Sequence, residues 1–300
     1  MIDVHVHLAA LPTKTNDCLL SKDMLEGALA KIIAWSQGLP LDQPERANEI
    51  FLQRLLAKLA GSSRVKQGVL LALDGIYGAD GRLDEARTHM LVSNDAMFAA
   101  CASSGGRLLP GASINPARRD ALDELERCAA RGAALIKVLP NAQVFDPSEK
   151  RFTAFYRALA RHKIPLLSHI GVEYSVKARD QSVGNPERLE LALREGATVI
   201  AAHACSSGYV IAQPHVKTML RLVREQPRFF MDASALTLPN RVGMALRLRG
   251  HPEVFPRLLF GSDYPLPVLW PASNPFDGQV RALAALGVRC EADPAAVLRL

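Results

Sequence analysis

The 300-residue chain has few cysteines, and they are scattered: Cys18, Cys101, Cys128, Cys205 and Cys290 are odd in number and include no C-x-x-C pair. That excludes a zinc ribbon or a disulfide scaffold and points to a reduced setting. No stretch reaches the roughly 18 apolar residues of a membrane span. The N-terminus also lacks a basic segment followed by an apolar run and a cleavage site, so a cytoplasmic protein with no membrane partner is expected. No internal repeat, low-complexity tract or Pro-rich linker divides the chain, which predicts one domain over residues 1–300. Charge is mixed: 36 basic residues are interspersed with 30 acidic ones, for a net +6 and a pI near 9.2. With no basic block there is no nucleic-acid footprint, and the surplus implies at most a mild pull on an anionic small-molecule substrate. Nothing in this balance fixes oligomeric state, and a homo-oligomer remains open.

What is present is an apolar content of 49%, enough at this length for one large core. Eight short apolar runs recur: IDVHVH at the start, QGVLLALD at 67, RLLPGAS at 107, AALIKVLP at 133, IPLLSHI at 164, ATVIAAHA at 197, RFFMDAS at 228 and RLLFGSD at 257. Several are apolar almost throughout, as parallel strands covered on both faces are. Helical patterns lie between them at 84–104, 148–162, 186–195, 214–225 and 275–286, and another opens near Pro116 and closes at Gly132. This alternation reads as an α/β protein, a (β/α)8 TIM barrel. A doubly wound open sheet lacks support, since no G-x-G-x-x-G follows the first strand. Residues 9–66 exceed a normal crossover; a helical pattern at 23–60, broken near Gly38 and Pro40, predicts an insertion that caps one end of the barrel.

The first run places His5 and His7 on one strand face, which fits either solvated histidines or metal ligands. The other runs bear on the choice. Lys137, His169, His203 and Asp263 each end a predicted strand, and in a barrel those ends open on one rim. A single buried histidine is ordinarily a hydrogen-bonded core residue; their joint placement favours a site. His89, His162, His215 and His251 fall in helices or connections and read as surface residues.

H-x-H ending the first strand, His169 in LLSHIG, His203 in AAHA and the G-S-D-Y-P segment together resemble the amidohydrolase superfamily over nearly the whole chain. They look most like the amidohydrolase-related (amidohydrolase 2) branch of metal-dependent hydrolases and decarboxylases. The resemblance implies that His5, His7, His169 and Asp263 bind one divalent cation with water at an open position, and that His203 hydrogen-bonds that water or the substrate. Zinc is the first choice for such a mixed N/O set, with manganese or iron accepted. Lys137 matches the lysine that is carboxylated in two-metal branches, but its K-V-L-P-N context is closer to the single-metal branch, where it pairs with a substrate carboxylate or a nearby acid. Glu173 is a second candidate for substrate binding; Asp74, Asn141, Gln143 and Ser206 are rim polar residues suited to turns. Cys205 beside His203 is not expected to form a Cys/His nucleophilic pair, and Tyr264 reads as a rim packing residue.

The expected function is metal-dependent hydrolysis of an amide, lactone or related ester, with Asp263 taking a proton from metal-activated water and His203 stabilising the oxyanion. The same ligands would serve a non-oxidative decarboxylase of a hydroxy or keto acid. A barrel that has lost catalysis and acts as a binding protein is the third reading.

Overall fold

A computed structural model describes residues 1–266 and 274–300. Its eight barrel strands are β1 (Ile2–His7), β2 (Gln67–Leu71), β3 (Leu108–Ser113), β4 (Leu135–Val138), β5 (Leu166–Ser168), β6 (Val199–Ala201), β7 (Phe229–Asp232) and β8 (Leu258–Leu259). They pair in chain order, each parallel to the next. All eight apolar runs thus become strands of one TIM barrel. β8 is short, so the circle returns to β1 through the residues after it. Val4 N–H donates to Phe260 O (3.0 Å), Asp263 N–H to His5 O (2.9 Å) and His7 N–H to Tyr264 O (2.7 Å).

Two apolar layers result. Val4, Val69, Leu71, Leu135, Leu167 and Ile200 fill the barrel interior, where Val297 and Leu298 join them. Alternate strand residues such as Leu70, Ile136 and Val199 pack outward against the helices. β1 departs from simple alternation. Its register against β2 skips one residue between Asp3 and Val6, so Val4 sits in the interior layer while Val6 joins the outer one. This bulge re-aims the strand end. The imidazoles still share a face, but Ile2, Val4 and Val6 do not all lie opposite them.

The helices follow local signals with some shifts. Between β3 and β4 the helix is Ala121–Ala130, so Pro116 precedes it rather than opening it; the Asn115 side chain instead accepts from Ala117 N–H (3.0 Å) and holds a turn. Gly132, at φ +81°, ends that helix as expected. The pattern at 84–104 yields helix only at Asn94–Ala102, where the Ser93 hydroxyl caps Ala96 N–H (3.0 Å). Just before it, Met90–Leu91 pairs antiparallel with Leu19–Leu20. Helices Lys22–Leu25, Ala28–Gln37 and Pro44–Gly61 occupy the stretch after β1, with the break at Gly38 in the left-handed region. Helix Val242–Leu248 had no sequence expectation. No described helix is long and apolar enough to cross a membrane.

Phe51, fully buried on helix Pro44–Gly61, packs tilted against the Tyr264 ring with centroids 5.9 Å apart, so the post-β1 segment shares the core around the barrel. Phe51→Ala is expected to lower unfolding free energy by about 3–5 kcal/mol, the usual cost of an emptied aromatic site. Urea denaturation reads this directly; an unchanged midpoint would mean that the segment does not support the core.

Candidate metal centre

β1 delivers His5 and His7, and the residues that pair with it after β8 deliver Asp263. Their donor atoms form a triangle: His5 Nε2 to His7 Nε2 is 3.2 Å, His7 Nε2 to Asp263 Oδ1 3.0 Å, and His5 Nε2 to Asp263 Oδ1 3.4 Å. A tetrahedral cation with bonds of ~2.0–2.1 Å separates its ligand atoms by about 3.3–3.4 Å. Among the described residues these three are the set of metal-capable side chains gathered this closely. Close approach is allowed by Gly261, where an added Cβ would come within 3.1 Å of both the His5 and Ser234 Cβ atoms.

Lys137, on β4, donates from Nζ to His5 Nε2 at 3.2 Å. His169 follows β5 and His203 follows β6, and they form a neighbouring pair: His169 Nδ1 lies 3.2 Å from His203 Nε2 and 3.4 Å from Glu173 Oε2. The His203 ring stacks on His5, with centroids 5.5 Å apart. His203 Nδ1 points at Ser234 O (3.1 Å), which assigns that nitrogen the proton and leaves Nε2 to accept from His169 Nδ1–H. His169 Nε2 then carries a lone pair, and it is buried with no hydrogen-bond partner. A buried polar atom with no partner is uncommon and marks a place for one.

Electrostatics supply the protonation states a cation needs. Burial, reinforced by Arg241, holds the His169 and His203 rings well below the usual imidazole range, and burial with Lys137 lowers His5. Burial alone would raise the Asp263 carboxyl, but the facing His5, His7 and His203 rings hold it well below the usual carboxylate range. Neutral imidazoles and an ionised carboxylate are metal ligands as they stand. Burial also lowers Lys137 to about 8, against the pull of Asp232, Asp263 and Glu173. The donor set, the spacing and the orphaned His169 nitrogen therefore fit a divalent metal.

A sequence model of the amidohydrolase family matches residues 2–299. The chain belongs to that family. It matches no curated protein, but it resembles solved structures closely enough to share their fold. An uncharacterised TIM-barrel protein from Bordetella bronchiseptica is 16% identical with a TM-score of 0.63, over 95% of this chain and 99% of that one. A probable 2-pyrone-4,6-dicarboxylic acid hydrolase from Acinetobacter baumannii is 14% identical with a TM-score of 0.60, over 95% and 91%. 5-Carboxyvanillate decarboxylase from Sphingomonas paucimobilis is 13% identical with a TM-score of 0.57, over 98% and 97%. Amidohydrolases are generally metal-dependent, in keeping with the cluster.

In this amidohydrolase the support of the cluster was only partly visible in the sequence. Asp232, the last residue of β7, adds a partner that the sequence did not single out; its Oδ2 accepts from His5 Nδ1 at 2.8 Å, and its Oδ1 accepts the His203 backbone N–H at 3.0 Å. Ser234 Oγ sits between the Nδ1 atoms of His5 (3.0 Å) and His203 (2.8 Å). Arg241, buried before helix Val242–Leu248, reaches the carbonyls of Ile170, Val172 and Ser206 and had no sequence signal. Asp74, Asn141, Gln143 and Ser206 stay in the loop framework: Asp74 accepts Asn115 N–H (2.7 Å), and Gln143 Nε2 donates to Asp74 O (3.2 Å). Residues Ala202–Cys205 form a tight turn rather than strand, with His203, Ala204 and Cys205 at positive φ. Cys205 is buried, and burial pushes its thiol up, which leaves it a poor nucleophile.

The carboxylate on His5 Nδ1 fixes the tautomer that presents Nε2 to the cluster, and removing such a partner typically lowers metal affinity about 10–100-fold. Asp232→Asn is expected to weaken zinc binding by that factor in competition with a chromophoric chelator. Unchanged affinity would show that the ring needs no such orientation.

Proposed function

We propose that the protein is a metal-dependent hydrolase of an amide, lactone or related ester bond in a small molecule. In this reading His5, His7, His169 and Asp263 hold a single divalent cation, zinc before manganese or iron, and Lys137 stays unmodified. The observation that carries it is the triangle of His5 Nε2, His7 Nε2 and Asp263 Oδ1. A cation held there lowers the pKa of coordinated water from ~15.7 toward ~7 and polarises a carbonyl.

The chain's own groups do the rest. Asp263, kept ionised, accepts a proton from the attacking water at a carboxylate oxygen. His203, whose Nδ1–H is held by Ser234 O, would exchange the His169 Nδ1–H at its Nε2 for a proton from the reacting groups and then donate that proton to the oxyanion. Lys137 Nζ, in the cavity floor, supplies a positive charge for a substrate carboxylate, and Glu173 faces the same space beside His169. Burial of both polar groups keeps bulk water from screening them.

Asp263→Asn is expected to fold as the parent does by circular dichroism yet lose at least about 10²-fold in turnover, the scale of general-base catalysis. Turnover in water labelled with oxygen-18 tests the reaction class. Label in the product supports hydrolysis, whereas release of carbon dioxide without label moves the chain to the decarboxylase reading.

A further inference from the structure

Above the cluster lies a cavity of about 770 Å³, toward the large end of the roughly 300–1,000 Å³ common for small-molecule sites. Its two ends differ in chemistry. The floor carries the histidines, Asp263, Lys137 and Arg241, while much of the wall is aliphatic and comes from the stretch between β1 and β2. Within helix Ala28–Gln37, Leu29, Ala30, Ile33 and Ala34 recur at i, i+1, i+4 and i+5, one helical face, and all four line the cavity. Leu20, Met24 and Leu25 before the helix, and Leu39 and Leu41 after it, also line the cavity.

These side chains are large, apolar and only partly buried. Leu20, Met24, Leu25, Leu29, Ile33 and Leu39 are all intermediate in exposure, because they face the hollow instead of neighbouring side chains. Apolar surface left in that state forfeits both burial and dispersion contacts. Apart from the imidazoles of the floor, the lining contains one aromatic ring among the described residues, that of Tyr174. Its cationic groups are Lys137 and Arg241 at the floor and Lys177, which is ion-paired with Asp23. A compact polyanion would meet charge at the floor and leave the long aliphatic wall uncovered. An amphiphile covers both ends.

We propose that the substrate carries a linear aliphatic chain: an acyl amide, an alkyl ester or an alkyl-substituted lactone whose carbonyl sits at the cluster and whose chain lies along the wall of residues 20–41. Hydrolysis adds one water across the acyl C–O or C–N bond and leaves the chain on a carboxylic acid or on the released alcohol or amine. The bond assignment rests on the hydrolase reading above; the chain assignment does not.

Two series separate them. With zinc-loaded full-length protein, kcat/KM for p-nitrophenyl esters is expected to rise about fourfold per methylene from butyryl to octanoyl, the equivalent of ~0.8 kcal/mol per buried methylene. In parallel, calorimetry with linear saturated carboxylates, which need no turnover, is expected to show Kd falling by a similar factor per methylene. Ile33→Trp, and independently Leu29→Trp should the first misfold, fills the wall and is expected to cut the ratio of butyrate Kd to octanoate Kd at least tenfold. Length-dependent carboxylate binding without turnover of any ester, amide or lactone would support the chain and sink the hydrolase. Turnover indifferent to chain length, together with carboxylate affinity equally indifferent to it, would overturn the chain and leave the hydrolase standing.

Discussion

The backbone hydrogen bonds between β1 and residues 260–264 close the barrel and assemble the cluster in the same act. Because Asp263 N–H is held by His5 O and His7 N–H by Tyr264 O, the carboxylate and the two imidazoles arrive side by side from opposite ends of the chain. A shift of one residue in this pairing would turn Asp263 out of the cluster, since neighbouring residues face opposite ways. Gly261 allows the approach, and Tyr264 locks it from behind, packing against Phe51 and Phe276.

This closure puts charge where the barrel is driest. Asp232, Asp263, Lys137, Glu173 and Arg241 are all buried within one rim, an arrangement that costs several kcal/mol per uncompensated ion. The compensation is specific. Asp232 takes a ring proton and two backbone N–H groups, Arg241 takes three carbonyls, and Glu173 accepts Val176 N–H at 2.9 Å. His169 Nε2 has no such compensation; like Asp3 Oδ2 and Asn141 Oδ1 it is buried without a hydrogen-bond partner. Two proposed chemical residues, His203 and Asp263, also hold left-handed backbone (φ 59° and 65°). Conformations of this kind cost non-glycine residues about 1–3 kcal/mol and persist where surrounding bonds fix them. At His203 the fixing bond is Asp232 Oδ1 on the backbone N–H; at Asp263 it is the His5 carbonyl.

Floor and wall come from different parts of the chain. The polar groups rise from strand ends, which barrel closure positions rigidly. Much of the aliphatic wall belongs to the stretch after β1, joined to the barrel through Phe51 and through the short pairing of Leu19–Leu20 with Met90–Leu91. Solved structures of similar fold include a probable hydrolase and a decarboxylase, and a barrel scaffold of this kind hosts different reactions.

The eight strands and the residues ending them were legible because strand pattern and rim position are local facts of sequence: apolar runs mark strands, and a polar residue closing each run falls on the open face. The same rule applied to RFFMDAS would have found Asp232. Arg241 and Ser234 carry no such mark, since a loop residue enters a site only through packing that brings distant segments together. The β1 bulge, the left-handed turn at His203 and the grouping of His169 with His203 likewise depend on hydrogen bonds from β2, β7 and the loops. The sequence by itself determined the barrel and the candidate donors, because burial periodicity and residue chemistry are written position by position. Which donors touch, which nitrogen of each ring is free, and how apolar the space above them is were decided by tertiary structure alone, because each depends on contacts between residues far apart in the chain.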